Sequence, residues 1–109
     1  MEEEQRKSLR NKTYAKVLLK DTGILGYMRD LSHEGCQLAL ISEPGLKHGD
    51  LLSVEVLPAE EMSIDRFSVT IQVMWTRNDP LYFITGGLIT SCGEKKNGER
   101  LKQLYRYYA

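Results

Sequence analysis

The chain has 109 residues, 41% hydrophobic and 28% charged, which is enough to bury one core and reads as a single globular domain. No apolar run approaches the ~20 residues of a membrane span, and residues 1–15 lack the apolar stretch of a secretory leader, so a soluble, cytoplasmic protein without membrane insertion is expected. Equal numbers of acids and bases hide a gradient of +3 over residues 1–20, −6 over 21–93 and +3 over 94–109; this suits an anion held near the termini and disfavours a long nucleic acid, which needs a continuous basic surface.

Residues 1–12 (MEEEQRKSLRNK) are highly charged, and between Glu2 and Lys12 only Leu9 is an apolar anchor. That is too little burial to offset ~1–2 kcal/mol of backbone entropy per residue, so this segment is expected to be a mobile arm, with the domain proper over 13–109. The Asn11-Lys12-Thr13 triplet matches a glycosylation acceptor by chance. Thr13–Lys20 and Ile24–Leu31, joined by Asp21-Thr22-Gly23, predict a hairpin. Cys36–Ile41 alternates again, and Leu51–Leu57 is β-rich after the turn clusters Glu43-Pro44-Gly45 and Lys47-His48-Gly49-Asp50. Phe67–Trp75 is the clearest strand, with Phe67, Val69, Ile71, Val73 and Trp75 predicted on one core-facing side. Asn78-Asp79-Pro80 turns into Leu81–Thr90, where Gly86-Gly87 suggests a bulge or bend. The period then changes: Leu101, Leu104, Tyr105 and Tyr108 make one helical stripe that Asn97 or Gly98 could start, and the stripe reads as packing. A mainly β fold follows, a small six- to seven-stranded antiparallel β-barrel with a C-terminal α-helix.

Two motifs stand apart from the core pattern. Arg6 and Arg10 form R-x-x-x-R, one helical face if coiled and up to about 14 Å apart if extended, able to clamp an anion either way; the run also reads as a solvated charged start. Asp30, Ser32 and Gly35 form D-x-S-x-x-G at a strand end. Turn chemistry explains it in part, through side chains bonding nearby N–H groups and a glycine at positive φ, while a carboxylate and a hydroxyl on a barrel rim could also face a ligand. Neither Cys36 and Cys92 nor His33 and His48 have partners at metal-ligand spacing, so no metal is expected and the cysteines read as core or half-buried residues. Asp30, Ser32 and His33 lack a third group to orient a base, so no catalytic residues are assigned and the protein is not expected to be an enzyme. A base-stacking barrel is disfavoured by acid-rich strands and by the expectation that Trp75 and Phe67 share the core face.

With R-x-x-x-R followed by D-x-S-x-x-G on a short barrel with a terminal helix, the chain resembles the PilZ domain family, bacterial receptors for the second messenger cyclic di-GMP. The resemblance spans essentially the whole chain and takes in Val73-Met74-Trp75 and Gly87-Leu88. It implies a cyclic di-GMP-binding receptor without other cofactor, in which Arg6, Arg10, Asp30, Ser32 and Gly35 bind the ligand, with Gln5, Lys7 and Trp75 as further candidates. An Arg fork suits the O6/N7 edge of guanine, a base face or a phosphate; Asp30 can accept from guanine, Ser32 can bond base or phosphate, and Gly35 admits a close backbone approach. Residues at the Gln5 position vary in the family and bear on whether one or two ligands bind. The family arm folds over its ligand, and a standalone domain implies an effector protein to receive the signal. The alternative is a PilZ-like protein–protein adaptor that binds no nucleotide, against which the intact motifs stand.

Overall fold

The computed structural model describes residues 13–32 and 34–108. The expected arm over 1–12, with Gln5, Arg6, Lys7 and Arg10, lies outside the described residues, as does His33. Among the described residues six strands, β1 (Thr13–Leu19), β2 (Leu25–Arg29), β3 (Gly35–Leu40), β4 (Leu51–Leu57), β5 (Phe67–Asn78) and β6 (Phe83–Ser91), precede one α-helix, α1 (Lys95–Tyr108). The strands close into an antiparallel barrel in the order β1-β2-β3-β6-β5-β4, β1 pairing with β4. Closure gives every one of these strands a neighbour on both sides, which protects most of their ladder groups.

Period-2 patterning builds the interior. Val54 and Val56 on β4 stand opposite Val69 and Phe67 on β5, and all four are buried. Val17, Met28 and Leu38 complete the same core from the other side of the barrel. The first hairpin closes where the turn residues predict, with the Gly23 N–H donating to Leu19 O at 2.8 Å and the Leu19 N–H to Ile24 O at 2.9 Å. Between β4 and β5 a short 3-10 turn over Glu60–Met62 appears where no element was expected. Both cysteines are free; burial pushes the Cys36 thiol up to about 12 and also raises that of half-buried Cys92.

α1 starts at Lys95, ahead of the expected Asn97 or Gly98. Asn97 instead ties the first turn to the barrel, its Nδ2 donating to Cys92 O at 2.9 Å while its backbone N–H donates to Glu94 O at 3.0 Å. Leu104 is fully buried and Leu101 and Tyr105 are partly buried against the core, so the stripe is packing; the Tyr108 side chain lies outside the described residues. No helix among the described residues is long and apolar enough to cross a membrane.

The core-facing placement of Trp75 is overturned. A bulge between Val73 and Trp75 sets Val73 opposite Gly87 and Trp75 opposite Gly86, leaving Met74 as the extra residue. One added residue reverses the alternation, so Val73 stays buried inside while Trp75 turns outward and is 39% exposed. Beyond the bulge β5 continues to Asn78, paired with Phe83.

Candidate functional site

The turn from Asp30 to Gly35 links β2 to β3 at one end of the barrel. Asp30 sits at φ 48°, a left-handed conformation that costs most side chains but that Asp tolerates. Ser32 then organises the turn. Its Oγ accepts from the N–H groups of Gly35 at 3.3 Å and Glu34 at 3.4 Å and donates to Gly35 O at 3.2 Å. The Ile89 N–H donates to Glu34 O at 2.9 Å, fastening the turn to β6. Among the described residues nothing hydrogen-bonds or ion-pairs with the Asp30 carboxylate, which leaves its oxygens for an external donor.

The positive φ expected at Gly35 falls on Asp30 instead. What Gly35 supplies is closeness of backbone to backbone: a Cβ there would stand 2.2 Å from Gly87 O on β6. The missing side chain lets β3 and β6 approach beneath the turn, so the serine and the aspartate are carried on a pinned support.

From this turn a row of directly paired residues crosses the outside of the barrel. Thr13 pairs with Arg29, Arg29 with Gln37, Gln37 with Gly86, and Gly86 with Trp75. Three strand spacings, about 14 Å, separate Arg29 from Trp75. Gly86 makes this floor flat, because a Cβ would lie 2.2 Å from Cε2 of the Trp75 ring that covers it. The Arg77 guanidinium stands 5.2 Å from the ring centroid, within cation–π range. The result is a half-exposed aromatic plate at one end of a polar row, with a carboxylate and a hydroxyl at the other. Such a surface can stack a planar base and hydrogen-bond its edge. The outward turn of Trp75 also withdraws the objection that no aromatic was available for stacking.

Asp30, Ser32 and Gly35 thus share one turn, and Trp75 lies across the same outer face. Gln5, Arg6, Lys7 and Arg10 lie outside the described residues. Gln37 in the paired row and Arg77 against the Trp75 ring belong to neither motif. Gln37 interrupts the apolar run CQLALI at a position where alternation alone points outward, a signal the sequence does carry, whereas Arg77 follows a bulge that no local pattern announces. Among the described residues no group of three His, Cys, Asp or Glu could hold a metal ion.

A family model described as PilZ domain matches residues 2–103, a span that includes R-x-x-x-R, D-x-S-x-x-G and Trp75. No curated protein matches the chain. With that match over most of its length and the closed barrel beneath it, the chain belongs to the PilZ domain family.

Proposed function

We propose that this domain is a receptor for cyclic di-GMP that passes its occupancy to an effector protein, with no catalytic step of its own. The observation that carries this reading is the strand register. β1 begins at Thr13 opposite Arg29, so the chain leading back to Arg10 and Arg6 departs beside Asp30. At ~3.3–3.6 Å per residue, Arg10 is at most about 11 Å of chain from Thr13 and Arg6 about 25 Å, short enough for both to reach a ligand on the turn. In this reading Arg6 and Arg10 fork onto guanine or phosphate, Asp30 accepts from a guanine, Ser32 bonds base or phosphate, and Trp75 stacks on a base. Closure of residues 1–12 over the nucleotide gives the effector a surface that the empty domain does not offer.

Titration of the purified protein with cyclic di-GMP, with GTP and GMP as controls, tests the reading. Ligand in a hundred-fold excess over Kd is expected to raise Tm by about 10 °C, with little change from the mononucleotides. No heat and no Tm shift at high ligand would remove the receptor reading and leave the protein–protein adaptor.

Two substitutions probe the site. Asp30→Asn keeps a side chain suited to positive φ and removes the charge, so it is expected to weaken cyclic di-GMP about ten-fold with little change in Tm. Asp30→Ala is expected to weaken binding and lower Tm together, because the turn loses its tolerant residue; equal binding by Asp30→Asn and wild type would take the carboxylate out of the site. Gly86→Ala pushes a methyl into a half-exposed indole that can swing aside, so calorimetry is expected to show weaker binding with a stability loss below about 1 kcal/mol. Unchanged affinity would mean that Trp75 does not stack on the ligand.

A further inference from the structure

α1 and the motif turn border an open cavity of about 420 Å³, within the size range of small-molecule sites. Leu31, Ile89 and Leu101 give it apolar walls, and Ser32 of the turn and Lys102 and Arg106 of α1 line it as well. The two cations are four residues apart and so share a helix face.

Their existing commitments are slight. Lys102 Nζ lies 3.9 Å from Glu99 Oε1, the outer limit of an ion pair between two side chains that are more than half exposed, a contact worth little in water. No salt bridge among the described residues involves Arg106. Its place in the last turn favours the helix dipole, a role that explains a cation there but not why both cations border a cavity shared with the motif serine. The family match ends at residue 103, so Arg106 lies beyond it.

We propose that Lys102 and Arg106 bind a phosphate of the nucleotide seated on the Asp30–Gly35 turn, making α1 the far wall of the site. The proposal rests on the cyclic di-GMP reading, whose ligand carries two phosphates. In that reading Arg6 and Arg10 serve the ligand from the chain ahead of β1, while Lys102 and Arg106 border a cavity that the motif serine also lines, so the two phosphates can each meet basic residues from a different part of the chain. Occupancy then adds a link between α1 and the turn. In the free domain the helix is held by buried Leu104, by Asn97 on Cys92 O and by Arg100 on Asp65 at 3.3 Å, so a ligand-borne link would be felt as tighter seating of α1.

The test compares wild type with Lys102→Gln plus Arg106→Gln, which keeps the long side chains and the helix propensity, and with Lys95→Gln plus Lys96→Gln, which removes equal charge from the other end of α1. The first pair is expected to lose about ten-fold in cyclic di-GMP affinity and to show a shallower salt dependence, with the Tm of the free protein close to wild type. The second pair is expected to bind within about two-fold of wild type. Wild-type affinity in the first pair, or an equal loss in both pairs, would overturn the assignment while leaving the receptor reading intact. A wild-type protein that binds no cyclic di-GMP would bring down both.

Discussion

Replacing Arg6 and Arg10 together with alanine is expected to weaken cyclic di-GMP binding by about two to four orders of magnitude while leaving the Tm of the free domain near its wild-type value. In the proposed reading each arginine makes charge-assisted hydrogen bonds worth about 1.5–3 kcal/mol, and both stand in the charged sequence ahead of β1, so affinity and stability should separate cleanly. Lysine at either position is expected to restore charge but only part of the affinity, because a point ammonium cannot present a planar fork to guanine. Isothermal calorimetry and thermal melts on the single and double variants check this. A single variant that bound as tightly as wild type would return its arginine to the solvated charge run.

The opposite separation is expected at Gly35. Gly35→Ala would set a Cβ 2.2 Å from Gly87 O, 3.2 Å from Gly87 C and 3.4 Å from Leu88 Cα. These are backbone atoms of the β3–β6 pairing and cannot swing aside as the Trp75 ring can at Gly86. The expected loss is about 1–3 kcal/mol, on the order of 10 °C in Tm, with the β3–β6 pairing opening first in hydrogen exchange. A Tm equal to wild type would show that the two strands can part without cost and that the glycine serves some other purpose.

These two substitutions also mark how far the sequence could be read. R-x-x-x-R and D-x-S-x-x-G stand out because charged and turn-forming residues interrupt or flank regular alternation, and that is local information. The buried face of β5 is equally local through Val73. The meaning of Gly35 is not, since its neighbour Gly87 lies on a strand half the chain away and only the β3–β6 pairing brings them together. For the same reason alternation alone puts Trp75 in the core: the pattern through Phe67, Val69, Ile71 and Val73 continues smoothly, and the extra residue becomes visible only against Gly86 and Gly87 on the partner strand. Lys102 and Arg106 read as ordinary members of a charged helix face until the helix is seated beside Ser32.

The bulge at Met74 has a practical consequence for spectroscopy. Trp75 is the only tryptophan in the chain, and in the folded protein its indole is half in water and beside a guanidinium instead of inside the barrel. Its emission in the native state should therefore already resemble that of a hydrated indole, so that chemical unfolding moves the fluorescence maximum little and a denaturation curve followed by this signal would understate cooperative loss of the core. The same placement makes the ring a built-in reporter for the outer face: a purine stacking on it would quench the emission without any added label, and occupancy could be titrated in the native protein while the barrel itself is followed separately by circular dichroism.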